Sequence, residues 1–228
     1  MAKINKQILG QVHGALGEIT FRSRNGKAYL ATKPDSFTPG MDEKSVARRD
    51  KFGLSIKLAK AIYSAKVLRS IWEQITPEGL SAYNQIMRTN YSLIGSGDLS
   101  TSLIRLTPML GFNLGSPNVE LGPLNLSVDL QPIGEASGID VLNEPSLKLV
   151  SVIYLGNPSD TSLKKTEFIT YVSEAKATDL TTALQFSNTL SDVEQQMFSI
   201  YQIRKGFFTV VSLDAEGNAV HYSNTFVG

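Results

Sequence analysis

The sequence has no cysteine, two histidines and one tryptophan, and no apolar run nears the roughly 18 residues a membrane-spanning helix requires. Without cysteine there is no disulfide framework, thiolate metal site or cysteine nucleophile. His13 and His221 lie almost a full chain apart, in no HExxH or related spacing. His221, in a predicted strand beside Tyr222, reads as an exposed or satisfied strand residue rather than a ligand. A GxSxG nucleophile elbow is missing. The string "NGKA" fails as a phosphate loop, because Phe21 stands where the first glycine belongs and Ala28 where Ser or Thr would bind magnesium. Gly10, Gly14 and Gly17 miss the GxGxxG spacing and precede a strand. Acidic neighbours such as Asp42 with Glu43 and Asp214 with Glu216 fall in predicted loops, without a cleft partner for acid/base work. The expectation is therefore no enzyme, no cofactor and no metal. The start "MAKINKQILG" is basic but lacks the apolar core of a signal peptide. Synthesis in the cytoplasm is expected, with no membrane span.

What is present is ordinary globular usage, 42% hydrophobic and 19% charged over 228 residues. The formal charge of +1 conceals an asymmetry. Residues 1–70 carry 14 Lys and Arg against 5 Asp and Glu, and the remainder carries 8 against 16. Halves of opposite sign attract one another between copies, or the basic half meets an external polyanion.

The segment "GEITFRSRNGKAYLATKP" alternates on both sides of Asn25-Gly26, a strong signal for a hairpin with a two-residue turn. Ile19, Phe21 and Tyr29 supply apolar bulk, and Arg22, Arg24, Lys27 and Lys33 bring charge. Such a hairpin is marginal alone and must lean on something. From Glu43 to Gln74 the pattern is helical, long enough for about 45 Å, with Gly53 as a candidate bend. Phe52, Ile56, Tyr63 and Val67 form one apolar stripe, and Leu54, Leu58, Ala61, Ala65, Leu68 and Trp72 a nearly opposite one. Arg48 lies between the stripes on one side, with Arg49, Lys57 and Lys60 on the other. A second helix is predicted to start at Thr76 as N-cap, followed by Pro77 and Glu78. Residues 96–123 read as an irregular linker.

After Pro123 the texture changes to about seven short strands: "LNLSVDL", "SLKLVSVIYL", "EFITYVS", "TALQF", "MFSIYQI", "FFTVVSLD" and "AVHYSNTFV". The last two are predicted to pair through "DAEGNA". This is the count expected of an immunoglobulin- or fibronectin-like sandwich. The predicted fold is α+β: an N-terminal hairpin with two helices over 1–117, then an antiparallel β-sandwich over 118–228.

The pattern Gly14-x-x-Gly17, "FRSRNGKAYLATKP", a Pro/Gly connector, "ARRDKFGLSIKLAKAI" and "GFFTVVSLDAEGNAVHYSNTFVG" resembles a family of uncharacterised Bacteroidota proteins. The family shares an RxRNGKxY hairpin, a helical middle and a C-terminal sandwich. Ala31 departs from it, standing where the family commonly has a basic residue. The resemblance implies this fold and an association with phage or particles, and it implies no activity.

Three readings of the basic half remain: a solvated edge hairpin, a contact between subunits, or a nucleic-acid contact. The leading expectation is a non-catalytic structural or assembly protein, a virion or particle component, that partners with its own copies or other structural proteins. Its candidate surface is Arg22, Arg24, Asn25, Lys27, Tyr29, Lys33, Arg48, Arg49, Lys57 and Lys60. Nucleic-acid binding through the same half is the alternative, with Arg22, Arg24 and Lys27 on phosphates and Tyr29 or Phe21 as a stacking surface.

Overall fold

The computed structural model describes residues 2–3, 14–24, 27–33, 36, 38–95, 99, 103–108 and 111–228. The chain forms two compact units, 1–46 and 47–228.

In the first unit, β1 (Ala2–Lys3), β2 (Gly14–Leu16), β3 (Ile19–Arg24) and β4 (Lys27–Thr32) make an antiparallel sheet of order β1-β4-β3-β2. β3 and β4 pair from Ile19↔Thr32 to Arg24↔Lys27, so the expected hairpin strands are present. The Asn25-Gly26 turn between them lies outside the described residues. Gly17 has a φ of 58° in the turn between β2 and β3, a conformation glycine adopts without a Cβ penalty. Every side chain whose burial is described in this unit is exposed or half-buried, with Leu16 and Met41 largely exposed.

The second unit contains all but the first turn of α1 (Glu43–Ser64), followed by α2 (Lys66–Ile75) and α3 (Ala82–Tyr91). The predicted continuous helix breaks at Ala65, which has an extended backbone (ψ 109°), and not at Gly53, which sits inside α1. Tertiary packing overrides local propensity here. α2 buries Leu68, Ile71 and Trp72, and the Trp72 indole Nε1 donates to the Leu106 carbonyl at 2.8 Å. Thr76 is no N-cap. It closes α2 by donating its hydroxyl to the Trp72 carbonyl at 2.6 Å. Pro77 to Leu80 makes a turn with Gly79 at positive φ, and the N-cap of α3 is Ser81, which accepts from the Asn84 amide.

The strands are β5 (Asn118–Leu121), β6 (Asn125–Leu130), β7 (Ser146–Pro158), β8 (Thr166–Val172), β9 (Lys176–Ala177) and β10 (Leu184–Thr189). After α4 (Asp192–Ile200) come β11 (Tyr201–Leu213), β12 (Ala219–Tyr222) and β13 (Phe226–Val227). They form a three-stranded sheet of order β10-β6-β5 and a six-stranded sheet built on β12-β11-β7-β8, with β9 on β7 and β13 on β11. The predicted strand "MFSIYQI" is corrected: its first four residues are helical. Ser191 and Glu194 form a capping box that starts α4 in front of them. β5, by contrast, lies in the stretch read as a linker.

β7 and β11 carry the core on both faces. Val150, Val152 and Tyr154 with Phe207 and Val211 join Leu58, Ile62, Leu68, Trp72 and Ile86 of the helices. Their alternate residues, Leu149, Ile153, Leu155, Phe208 and Val210, join Leu126, Val128 and Leu130 of β6, Phe186 of β10 and Phe198 of α4. A strand buried on both faces reads as a nearly continuous apolar run, which is why "LVSVIYL" shows weak alternation. Each of these large side chains contributes about 1.5–3 kcal/mol by leaving water. The architecture is α+β. The helices share a core with the strands, so the compact units divide at 46/47, where the sequence had placed its boundary at 117/118.

Candidate interaction surface

The two apolar stripes of α1 have different fates. Leu54, Leu58, Ala61 and Ala65 are buried. On the other side Phe52 is 49% and Ile56 37% exposed. Phe52, Ile56 and Lys60 follow one another at i, i+4 and i+8, so they lie in one row along the helix. Tyr83 of α3 braces this row by donating its hydroxyl to the Ile56 carbonyl at 3.1 Å, and its ring meets Tyr63 edge-on at 6.1 Å between centroids. Lys51 Nζ lies 4.9 Å from the Tyr91 ring centroid and the Arg69 guanidinium 5.4 Å from that of Tyr63, within cation–π range. Residues 47–70 carry seven Lys and Arg and one Asp.

Beyond Lys60 the row opens into a groove of about 470 Å³ between α1 and β8, lined by Lys57, Lys60, Ala61 and Ser64 on one wall and Lys164, Glu167, Phe168 and Thr170 on the other. Two crossings hold the walls in step. Lys57 Nζ donates to the Thr166 carbonyl (2.8 Å) and hydroxyl (3.1 Å), and the Thr170 hydroxyl donates to the Ala61 carbonyl at 3.1 Å. Lys164 pairs with Glu167 at 2.7 Å while remaining largely exposed. The groove therefore carries three lysines against one carboxylate, that of Glu167, with Phe168 as its large apolar side chain.

The predicted surface residues divide between the units. Arg22, Arg24, Lys27, Tyr29 and Lys33 belong to the first. Arg22 is exposed on β3 directly opposite half-buried Tyr29 on β4, so the two share a face of that sheet. Lys33 is exposed after β4, its amide bonded to the Glu18 carbonyl at 2.6 Å. Arg24 and Lys27 are paired strand residues, and Asn25 lies outside the described residues. In the second unit Arg48, Arg49 and Lys60 are exposed and Lys57 is half-buried.

A second constellation went unread in the sequence. Glu144, 2% exposed, accepts from the Asp140 amide, the Ser212 hydroxyl and His221 Nδ1, which is 3.0 Å from both carboxylate oxygens. An ionised carboxylate only accepts, so Nδ1 carries the proton. Burial pushes the Glu144 carboxyl up, but the bonds from Ser212, the Asp140 amide and His221 outweigh it and hold it below the usual glutamate value. Serine donates here to the carboxylate rather than to the imidazole, so the three are not ordered as nucleophile, base and orienter. The cluster ties the β6–β7 loop to β11 and β12. Glu144 had no local signal, because its partners lie 68 and 77 residues away. Among the described residues no group of three or more His, Cys, Asp or Glu is placed to hold a metal ion, and no helix is long and apolar enough to cross a membrane.

No protein-family model and no curated protein matches the chain. Among solved structures it aligns with that of astrotactin-2, described as a conserved vertebrate-specific and perforin-like membrane protein involved in neuronal development. The alignment has 16% identity and a TM-score of 0.17, and covers 69% of this chain and 31% of that one. The chain thus spans less than a third of that structure, and a likeness at this level carries no argument about fold or function.

Proposed function

We propose that the chain is a non-catalytic structural or assembly protein whose basic α1 face and N-terminal hairpin sheet contact other subunits. The carrying observation is the row Phe52, Ile56 and Lys60. Two large apolar side chains are half-exposed on a helix whose opposite stripe is buried, in a stretch with seven cations and one anion. Apolar anchors ringed by charge are what a subunit contact uses. The four-stranded sheet of the first unit supports the same reading, since its described side chains are exposed or half-buried and small sheets gain stability by packing on something. The resemblance of "FRSRNGKAYLATKP" to a family of uncharacterised proteins, some of them phage-associated, supports a role as a virion or virus-like particle component.

The finer fold belongs to this proposal. The orders β5-β6-β10 and β8-β7-β11-β12 match strands A-B-E and C′-C-F-G of immunoglobulin-like sandwiches. That supports an immunoglobulin- or fibronectin-like module carrying a helical layer on its larger sheet.

Light scattering of the full chain, over a concentration series and from about 50 mM to about 500 mM salt, tests the assembly reading. A mass that rises with concentration and falls with salt is expected, and a strict monomer throughout overturns it. The cross-strand pair Arg22 and Tyr29 favours the second reading, nucleic-acid binding, in which a cation meets phosphate beside a stacking ring. There, Arg22→Ala with Arg24→Ala lowers the slope of log affinity against log salt by about 2. Undetectable or salt-independent binding to both DNA and RNA removes it.

A further inference from the structure

Carboxylates gather in the loops at one end of the second unit. The β6–β7 loop, the segment between β8 and β10, and the β11–β12 turn meet at one end of the long strands. Gly134 donates to the Leu180 carbonyl at 2.9 Å, Thr178 to the Pro145 carbonyl at 3.0 Å, and Glu144 links to Ser212 and His221. Residues 131–145, 173–183 and 214–218 together hold seven Asp and Glu against one lysine. The lysine-rimmed groove starts at the other end, where Lys57 bonds Thr166 and Lys165 lies 3.7 Å from Asp50. β7 runs from Ser146 at the acidic end to Pro158 at the other, which is about 40 Å at the rise of a strand. Thr170 of the groove wall and Thr166, which holds Lys57, pair with Val152 and Gly156, about 20–30 Å along β7 from Ser146. That is more than two Debye lengths at physiological salt, so the acidic end of one copy is largely screened from its own groove.

The acidic end also carries an apolar knob. Leu142 is 91% and Val141 43% exposed, on a turn fixed from within. Asp140 Oδ1 accepts the Leu142 amide at 3.0 Å, its Oδ2 accepts from the Asn143 side chain at 2.6 Å, and its carbonyl accepts the Asn143 and Glu144 amides. A side chain held out on a rigid turn loses little entropy on docking.

We propose that the Asp140–Asn143 turn of one copy seats in the α1–β8 groove of a second copy. Leu142 then lies on Ala61 and Phe168, and the surrounding carboxylates face Lys60 and add to the Glu167 carboxylate already on Lys164. This rests on the assembly reading above and specifies its contact. The knob and the groove are different surfaces, so the interface is heterologous and propagates head to tail, into a ring or an open filament.

Complementation between two defective copies tests it. Leu142→Asp spoils the knob and leaves the groove, and Lys60→Glu spoils the groove and leaves the knob. Both positions are exposed, and matching thermal unfolding of the variants and the unaltered chain establishes that each folds. At low salt the unaltered chain forms a concentration-dependent series, each variant alone associates roughly 10-fold or more weakly, and an equimolar mixture yields dimers and nothing larger. The contact is overturned if either variant associates like the unaltered chain, or if the mixture stays monomeric. Assembly of the unaltered chain that Leu142→Asp leaves unchanged rejects this contact while the assembly reading stands. A monomeric unaltered chain rejects both.

Discussion

His221 Nδ1 lies 3.0 Å from each oxygen of the Glu144 carboxylate, bridging β12 to the loop that precedes β7. Ser212 completes the arrangement by donating to the same carboxylate. The pair makes Glu144 one of the carboxyls that set the acid limb of stability, beside Asp140, Asp160, Asp179, Glu194 and Asp214.

The native Glu144 carboxyl titrates below the ordinary glutamate value, so the unfolded chain takes up the proton first as pH falls. Its contribution is complete above the unfolded value of about 4.5 and is lost as pH drops through the lower native value. Denaturant unfolding at pH 7 and at several pH values below 5 is expected to show Glu144→Gln destabilised by about 1–3 kcal/mol at neutral pH. The variant's stability also falls less steeply in acid. An acid limb unchanged by Glu144→Gln contradicts the assignment.

The two stripes of α1 predict opposite mutational costs. Leu58→Ala, at a fully buried site, is expected to cost about 2–5 kcal/mol in urea unfolding. Phe52→Ser, at the half-exposed site, changes monomer stability by no more than about 0.5 kcal/mol. Comparable losses at both positions would mean that the Phe52 row is part of the core.

Asn90 clamps the segment that follows α3. It is 1% exposed, accepts the Arg105 amide at 2.7 Å, and donates to the Arg105 and Ile86 carbonyls at 3.0 and 3.2 Å. Asn90→Ala strands an amide and a carbonyl of Arg105, and its cost in the same assay is expected to be about 1–3 kcal/mol for each group that stays dry. Asn90→Asp retains the acceptor for the Arg105 amide but loses both donated bonds, so it gives no rescue. Hydrogen exchange at the Arg105 amide, faster in Asn90→Ala, separates loss of the clamp from a general loosening.

The sequence showed those parts of the fold that local pattern encodes. The strands flanking Asn25-Gly26, the opposed stripes of α1 and the β11–β12 hairpin through "DAEGNA" are all present. Where long-range packing decides, it was silent. Ala65 has no breaker chemistry, and its extended backbone lets α2 bury Trp72 against Leu106. Residues 197–200 have strand-like composition, yet the capping box at Ser191 makes them helix, a spacing visible in "SDVE". At the candidate surface, Lys57 and Lys60 were legible from helical spacing. Lys164, Phe168 and Leu142 were not, because a groove wall supplied by another element and a leucine held out on a turn leave no trace in local periodicity.

The claim that the exposed row of α1 is a subunit contact is tested most directly by sedimentation velocity. The comparison is between the unaltered chain and Phe52→Glu with Ile56→Glu, over a concentration series at about 50 mM salt. The account predicts a mass that climbs with concentration for the unaltered chain and a monomer for the variant, which retains a cooperative unfolding transition. A monomeric unaltered chain at every concentration, or a variant that climbs alongside it, contradicts the account.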